Sequence, residues 1–558
     1  MTGIRLPGTW RWGLLTGLLM ALVVGPRPAR SEHPSAKVKA ESDNEKLGPL
    51  IEGLGTHEHQ IATDKPLAQK YFDQGLRLIF AFNHDEAIRA FRSAAKVDPN
   101  AAMAQWGIAL ALGPNYNLAA DPERSKAAYE ASRLAQKLAA KTSPREAAYA
   151  DALAQRYAES PDAERKPLDQ AYADAMRKLA AQYPDNLDAA VLFAEALMDV
   201  RPWDLWTHDG QAQPGTDEIV ATLERVLGKA PNHPGANHFY IHAVEASPAP
   251  ERGLAAADRL GGLMPAAGHM IHMPAHIYLR LGRYEDAAEC NRRAIKADRQ
   301  YIEKYRPEGV YPMMYYPHNI HFLWFAAMME GRSGEANTSA AEVTKMIPDE
   351  MVREMPMIEA FVPTRLYALA RFGKWDEVLA SPRPPADFTY ADGMWRYARG
   401  LALAAQTKLD GAEIERQALA EVLKATPEDK MAMRHSAAGL LTIAEKHLSA
   451  AIDAQRGQNA RAIETLTAAI ALEDALQYDE PPAWYFPLRQ ALGAALLDAK
   501  RPLDAEAAYR EELKRHPVNG WSLNGLARAL QAQNRAAEAA EVRQRFAKAW
   551  AMADFKLD

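Results

Sequence analysis

Cysteine is almost absent from this chain of 558 residues, which contains a single one, Cys290. One cysteine excludes an internal disulfide, so buried apolar area or a bound ligand must hold the fold together. The sequence also lacks a glycine-rich phosphate loop, a Cys-x-x-Cys pair, a Ser-His-Asp order and a dinucleotide fingerprint. No independent motif therefore predicts a catalytic reaction.

An excess of positive charge and a membrane-length apolar run are missing as well. The chain has 66 Lys and Arg against 72 Asp and Glu, a net charge of -6 that argues against nucleic acid as a partner. The apolar run from Gly13 to Gly25 is shorter than the roughly 20 residues that span a bilayer. Because Arg5 and Arg11 precede it and residues 29–31 suit a cleavage site, we predict a signal peptide over residues 1–31. The protein is then periplasmic or secreted, with no membrane anchor after cleavage.

Runs of β-branched residues are scarce, whereas Ala, Leu, Glu, Arg and Gln are abundant, which predicts an all-α protein. Small, aromatic and proline residues recur with a period of about 34 residues. From Ala68 they are Gly75, Ala87, Phe91, Ala94 and Pro99, and from Phe486 they are Gly493, Ala505, Tyr509 and Pro517. This is the tetratricopeptide pattern, in which antiparallel helix pairs stack into a right-handed superhelical solenoid with a concave inner surface.

Looser copies of the pattern divide the rest of the chain. Further repeats start near Leu187, Pro234, Gly268, Pro317 and Gly520, and the second helix of the Gly268 repeat is expected to end near Asp298. Two insertions, 201–215 and 301–316, are long enough to be functional loops. We expect a polar linker at 32–64, a repeat array with a histidine-rich groove at 65–380, a Pro-rich boundary loop at 381–393 and a C-terminal helical array at 394–558.

Histidine is concentrated in the central repeats, where seven of the 16 lie between His238 and His321. In the first helix of each repeat, position 2 holds His269 and His318, position 5 holds His238, His272 and His321, and position 9 holds His242 and His276. Steps of three and four residues place these side chains on one stripe of each helix. Because neighbouring helices pack roughly 8–10 Å apart, the sequence predicts one hollow lined by seven imidazoles.

Carboxylates and three further histidines accompany this stripe. Glu245 lies on the face of His238 and His242, and Glu195 and Asp199 occupy the corresponding face one repeat upstream. Such carboxylates bind a metal ion or fix the tautomer of an imidazole that binds one. The weaker candidates are His57 and His59, before the first repeat, and His84, at the start of its second helix. They either add ligands across the groove or belong to a capping loop and a helix start.

Two interpretations of the stripe remain open. Histidines on helices are commonly hydrogen-bonded structural residues or part of a peptide-binding groove, whereas a pair at i, i+4 can chelate one ion. Imidazole suits zinc, copper, iron or nickel. The nearby methionines would favour copper(I) if they pointed inward, and these are Met264, Met270, Met273, Met313 and Met314.

Four stretches of the chain resemble a widespread group of bacterial exported tetratricopeptide-repeat proteins. They are YFDQGLRLIFAFNHDEAIRAF (71–91), AMAQWGIALALGPNYN (102–117), HPGANHFYIHAVEAS (233–247) and GHMIHMPAHIYLRLGRYEDA (268–287). The resemblance covers about residues 55–350 and implies the fold without implying a reaction. Tetratricopeptide proteins in general are similar to adaptor scaffolds, which implies a protein or peptide partner in the concave groove.

Our first functional hypothesis is therefore an exported scaffold or binding protein with a transition-metal site, copper, zinc or iron, in its central groove. The alternative is a periplasmic metalloenzyme that uses the same histidines, with Glu245 as acid or base and the two insertions as a lid. An enzyme should have an open coordination position beside a closed apolar pocket, whereas a scaffold should have a long open groove.

Overall fold

Helices joined by short turns make up nearly all of the chain in the computed structural model, which describes residues 47–557. The predicted signal peptide, residues 1–31, and residues 32–46 of the predicted linker lie outside the described residues. Within the described range there are 26 α-helices and two short strands, β1 Met431–Ala432 and β2 His435–Ser436, which pair antiparallel. None of the described helices is both long and apolar enough to cross a bilayer.

Six helices form the N-terminal part of the array: α1 Pro66–Phe80, α2 His84–Val97, α3 Ala102–Leu112, α4 Pro122–Ala139, α5 Pro144–Ala154 and α6 Arg165–Gln182. The short turn after Phe80 reverses the chain, as in an antiparallel helix pair. Residues 47–64, the described part of the predicted linker, form no helix but lie against α1 and α2. There Ile51, Leu54 and Ile61 are buried, and the backbone N–H of Ile51 donates to Gln74 Oε1 (2.7 Å).

The central helices begin where the repeat frame predicts. They are α7 Leu187–Val200, α8 Thr216–Lys229, α9 Pro234–Glu245, α10 Leu254–Leu263, α11 Gly268–His272, α12 Pro274–Arg280, α13 Tyr284–Tyr305, α14 Tyr316–Met329 and α15 Ser333–Lys345. α7, α9 and α11 start at the predicted residues and α14 starts one residue early. The helix from Gly268 is interrupted at Met273, because Pro274 has no backbone N–H to continue the hydrogen-bond ladder.

The second helix of that repeat, α13, is longer than predicted. It continues past Asp298 to Tyr305 and takes up the start of the insertion expected at 301–316. Residues 298–305 contain neither Gly nor Pro, and the helix ends where Arg306 precedes Pro307 and adopts a left-handed conformation (φ 48°). The rest of the insertion forms a π-helical turn, Tyr311–Tyr315, that leads directly into α14.

The C-terminal helices begin with a short one and end close to the central repeats. They are α16 Asp349–Glu354, α17 Thr364–Arg371, α18 Trp375–Ala380, α19 Thr389–Ala405, α20 Leu409–Ala425, α21 Ala437–Gln455, α22 Asn459–Asp474, α23 Leu488–Asp498, α24 Pro502–Arg515, α25 Gly520–Ala532 and α26 Ala536–Ala549. Short 3-10 helices occupy Pro250–Gly253 and Pro356–Phe361. Because α19 starts at Thr389, the loop expected at 381–393 is shorter than predicted. Trp521 Nε1 donates to the Met328 carbonyl (3.0 Å), so α25 lies against α14.

Small residues let an aromatic ring fill the space between three successive helices. A Cβ atom built on Gly75 of α1 would lie 2.4 Å from the Phe91 ring of α2, and one on Gly107 of α3 would lie 2.5 Å from the same ring. Gly493 and Gly525 make the same room around Tyr509, at 2.4 and 2.2 Å. This is the packing that the 34-residue pattern requires. The predicted all-α fold, a tetratricopeptide-repeat solenoid of antiparallel helix pairs, is confirmed.

The variant Gly75→Ala tests this spacing. We expect it to lower the free energy of unfolding by about 1–3 kcal/mol, because the added methyl group overpacks the ring of Phe91. The matched control is Gly228→Ala in α8, where a Cβ would meet nothing within 4 Å. That change should stabilise the helix by about 0.5–1 kcal/mol. Thermal unfolding followed by circular dichroism measures both, and equal midpoints for the two variants would contradict the packing argument.

Candidate metal centre

The first helices of three neighbouring repeats bring six imidazoles into one buried space. α9, α11 with α12, and α14 supply His238, His242, His269, His272, His276 and His318. The first five residues are at most 2% exposed, and His318 is half-buried. Ring centroids lie 4.9 Å apart in the pairs His238–His269 and His272–His318, and 5.5 Å apart in the pair His242–His276. Six of the seven histidines in the predicted stripe therefore share one space.

His321 is separated from this group, contrary to the prediction. Its ring stacks on Trp324 with centroids 4.8 Å apart and meets the edge of Phe361 at 5.1 Å. Burial lowers the pKa of His321 to about 4, so the ring is neutral and packed among aromatic side chains.

Fixed hydrogen-bond acceptors set the tautomer of two of the six rings. His238 Nδ1 donates to the backbone carbonyl of Phe80 (2.6 Å), an atom that can only accept. His272 Nδ1 donates to Asn291 Oδ1 (2.8 Å), and the amide nitrogen of Asn291 is turned away to the carbonyl of Ala287 (2.7 Å). Both rings therefore carry their proton on Nδ1 and direct the lone pair of Nε2 into the shared space.

Glu245 fixes two more rings in the same way. This residue ends α9, and its Oε1 accepts from His242 Nδ1 (2.8 Å) while its Oε2 accepts from His276 Nδ1 (2.5 Å). Burial alone would raise the pKa of Glu245, but the two imidazoles outweigh it and hold the pKa well below the usual value. Glu245 is thus a carboxylate whose two oxygens each orient one ring.

The inward nitrogens have one another as neighbours. The distance between the Nε2 atoms of His238 and His269 is 3.2 Å, and that between the Nε2 atoms of His272 and His276 is 2.9 Å. Among the described residues, His242 Nε2 and His269 Nδ1 have no hydrogen-bond partner. Two nitrogens bound to one tetrahedral ion lie about 3.3 Å apart, because each bond is about 2.0–2.1 Å long. The spacing therefore suits imidazoles that share a cation.

The charge state of the rings differs across the cluster. Burial lowers the pKa of His238, His269 and His272 well below the ordinary histidine value, and neighbouring imidazoles lower it further. These rings are neutral, the form that binds a metal ion. Burial also lowers the pKa of His276, but Glu245 and Glu480 outweigh it and raise this pKa to about 9. A proton and a metal ion therefore compete for His276.

Asp298 of α13 ties together the two helices on either side of it. Its Oδ1 accepts from the Tyr311 hydroxyl (2.8 Å), and its Oδ2 accepts from Asn319 Nδ2 (2.7 Å). The same hydroxyl of Tyr311 accepts from the backbone N–H of His269 (3.0 Å). Since Asn319 follows His318, this network holds the starts of α11 and α14 at a fixed distance. Burial raises the pKa of Asp298 to about 7.

Sequence analysis did not identify Glu480, which comes from the loop between α22 and α23. Its Oε2 lies 3.2 Å from His276 Nδ1, and the side chain is buried. Burial raises the pKa of this carboxyl group. The residue belongs to no repeat position and follows the binding helices at a long distance along the chain, so the repeat frame could not associate it with His276.

Glu195 and Asp199 do not join the imidazoles as predicted. Asp199 Oδ2 accepts from Arg156 Nη2 (2.5 Å), and the same guanidinium donates from Nε to Asp169 Oδ1 (3.3 Å). Among the described residues, no group with metal-ligand spacing includes Glu195 or Asp199. Arg156 lies in the turn after α5 and is fully buried, which the sequence pattern did not indicate. Asp199 therefore pairs with a buried cation, and Glu195 is hydrogen-bonded to Asp199.

The N-terminal histidines form a separate group around Asp188. His57 Nε2 and His59 Nδ1 donate to the two carboxylate oxygens at 2.8 and 2.6 Å, and His233 Nε2 lies 3.0 Å from Oδ1. His233 was missed because it precedes its repeat as the helix cap: its Nδ1 accepts from the backbone N–H of Ala236 (3.2 Å). This group anchors the N-terminal segment and adds no ligand to the six imidazoles.

His84 is the remaining N-terminal candidate, and it lies apart from both groups. Its ring stacks on Phe82, with centroids 5.9 Å apart and an interplanar angle of 27°. Burial, with the nearby charge of Arg124, lowers the pKa of His84 to about 4. In the described part of the chain it belongs to no group with metal-ligand spacing. It begins α2 as a packed helix-start residue.

A cavity of about 510 Å³, here called the chamber, opens directly onto the cluster at His242, His269, His276 and His318. Both predicted insertions contribute to its wall. Most of the other lining side chains are apolar or aromatic, and examples are Trp203, Met313, Phe361, Tyr390 and Tyr485. Polar lining residues include Arg434, whose guanidinium lies 3.9 Å from the centroid of the Trp203 ring, and Glu480. The volume lies within the range of small-molecule sites.

Comparison with known proteins finds only distant similarity to solved structures. No family model matches the chain, and no curated protein matches it. Similar solved structures include the human IFIT1 dimer with m7Gppp-AAAA, at 13% identity and a TM-score of 0.33 over 88% of this chain and 91% of that one. Another is the APC/C hetero-tetramer Cut9-Hcn1, at 12% identity and a TM-score of 0.29 over 86% and 87%. The assignment of a tetratricopeptide-like helical repeat rests on the helix pairs and on the packing around Phe91 and Tyr509.

The variant Asp188→Asn tests the anchor of the N-terminal segment. Hydrogen bonds from three histidines lower the pKa of Asp188 well below its usual value although burial opposes them. The folded state therefore favours the carboxylate, and its stabilising effect is present above the unfolded pKa of about 3.9. We expect the substitution to cost about 3 kcal/mol at neutral pH. Denaturant unfolding measures the free energy of unfolding of the variant and of the unaltered chain. The difference between the two should shrink as the pH falls below about 4, and a difference that grew there would contradict this account.

Proposed function

We propose that this chain is an exported tetratricopeptide-like binding protein that holds transition-metal ions among the imidazoles of α9, α11, α12 and α14. One observation carries the proposal. Phe80, Asn291 and Glu245 accept the Nδ1 protons of four rings, so that the Nε2 atoms of His238, His242, His272 and His276 are directed at a common buried space. In the metal-free protein a proton lies between the paired Nε2 atoms of His238 and His269 and of His272 and His276, and a metal ion can take the place of such a proton.

Imidazole ligands favour zinc, copper or iron, and the methionines do not narrow this choice. Met264, Met270 and Met273 belong to the hydrophobic core. Met313 and Met314 line the chamber together with four of the imidazoles. The proposed ligands are the imidazole nitrogens, which suit a divalent ion as well as copper(I).

Export is part of the proposal and rests on the signal-peptide pattern of residues 1–31. The imidazoles themselves are a poor binding surface for the expected protein or peptide partner. They are at most 2% exposed in α9, α11 and α12, and the space beside them is a chamber of small-molecule size. We therefore assign the imidazoles to a metal and assign any protein partner to another face of the array.

A metalloenzyme is the second candidate, and the chamber is the observation that favours it. An apolar cavity of about 510 Å³ in contact with four of the imidazoles has the character of a substrate pocket. The acid-base role first considered for Glu245 does not suit its geometry, because both of its oxygens are occupied by ring N–H groups. Glu480 is the carboxylate that lines the chamber beside His276.

A pair of variants on one helix tests metal binding. His318→Gln removes a ring of the cluster, whereas His321→Gln changes a ring that is equally half-buried on α14 and outside the cluster. Elemental analysis of the purified protein and equilibrium dialysis against Zn²⁺ measure the result. Losing an outer hydrogen-bond partner of a metal ligand weakens metal binding by roughly 10–100-fold. We expect His318→Gln, which removes a ligand itself, to weaken Zn²⁺ binding by more than this, and His321→Gln to leave Zn²⁺ binding unchanged. A metal content near zero in the unaltered chain would remove the metal site from the proposed function.

Glu245→Gln tests whether the carboxylate orients the two rings. The amide can accept from one imidazole N–H but presents a donor to the other, so one ring should rotate or change its tautomer. We expect a loss of roughly 10–100-fold in Zn²⁺ affinity, together with a lower thermal stability of the metal-free protein because His276 loses its buried charged partner. Glu359→Gln is a suitable control, since this buried carboxylate pairs with Lys430 away from the cluster. A similar loss in both variants would indicate a general effect of removing buried charge.

A further inference from the structure

The six imidazoles divide into two sets of three. Within each set one ligand atom from every ring lies within 4.8 Å of the others, and the sets are His238, His242 and His269, and His272, His276 and His318. Among the described residues, one other group with this spacing contains a ring from each set. It consists of His242, Glu245 and His276, so the carboxylate lies between the two sets. The six nitrogens therefore do not converge on a single point.

We propose that the cluster is a paired metal centre, with one ion in each set of three imidazoles. This inference rests on the proposed function and adds the number of ions and their arrangement. A single four-coordinate ion would use four of the six rings and leave two imidazoles of the cluster unbound. Two ions use all six rings, and each keeps an open coordination position.

Contacts between the sets place the two ions side by side. The rings of His269 and His272 stack at 5.7 Å with an interplanar angle of 27°, and those of His242 and His276 meet edge to face at 5.5 Å. Each contact joins one ring of the first set to one ring of the second. The two ions are therefore close enough for one small ligand to bridge them.

Glu245 is the symmetric element of this centre. One of its oxygens orients His242 in the first set and the other orients His276 in the second. Each set also has a neutral acceptor of its own, the Phe80 carbonyl for His238 and Asn291 Oδ1 for His272. Two sites with matching outer partners and a shared carboxylate are expected when two ions of the same kind are held together.

The chamber meets both sets. Its wall includes His242 and His269 from the first set and His276 and His318 from the second. The open positions of both ions can thus face the same apolar cavity. The ligand class that fits is a small molecule or anion that binds both metals at once, with an apolar remainder in contact with residues such as Trp203 and Tyr485.

Cu²⁺ loading of the full chain tests the pair. We expect two copper ions per chain by elemental analysis, and an electron paramagnetic resonance signal far weaker than that amount of isolated Cu²⁺ because neighbouring spins couple. The double variant His238→Gln, His269→Gln should hold one ion with the signal of an isolated Cu²⁺, and so should His272→Gln, His318→Gln. His321→Gln should behave as the unaltered chain.

The outcomes separate this inference from the proposed function. One ion per chain, lost in both double variants, would show a single shared site and overturn the pair while the metal site stands. Two ions with the full signal of isolated Cu²⁺ would likewise overturn the pairing. No bound copper in the unaltered chain would overturn both. The signal of the unaltered protein decides the question even if a double variant does not fold.

Discussion

The burial of six basic rings in one interior space is the constraint on which the rest of this structure depends. Imidazoles excluded from water must be neutral and hydrogen-bonded, or paired with charge. The chain meets this requirement with a carboxylate, a backbone carbonyl and an amide that each occupy one side of a ring, namely Glu245, Phe80 and Asn291. On the inner side, the Nε2 atoms of four rings pair with one another, and His242 Nε2 has no hydrogen-bond partner among the described residues.

The repeat fold provides the rigid frame that this arrangement needs. Close helix packing around Phe91 and Tyr509 fixes the distance between successive helices, and Asp298 fixes the starts of α11 and α14 relative to each other. The imidazoles are carried on these helices and not on loops, so their separation follows from the spacing of the solenoid. The loops and the C-terminal segment are left to form the wall of the chamber.

Sequence periodicity predicted the helix pairs and the common face of His238 and His242 because both depend on local spacing along one helix. It failed for His321, whose ring packs against Trp324 and Phe361 instead of the other imidazoles. Glu195 and Asp199 were assigned to the imidazoles because the repeat pattern does not predict that Arg156, from a different helix pair, is buried beside Asp199. Glu480 was missed because its contact with His276 depends on how the C-terminal array returns to the central one.

The wall at residues 479–485 follows the last imidazole-bearing helix by many helices, and this order has a consequence for assembly. The nitrogens can come together as soon as α9 to α14 have packed, whereas the enclosure is complete only when the end of the polypeptide has docked. Formation of the imidazole cluster and its enclosure are therefore separable events. A polypeptide cleaved after α15 would retain all six imidazoles but lack the part of the chamber wall that residues 479–485 supply.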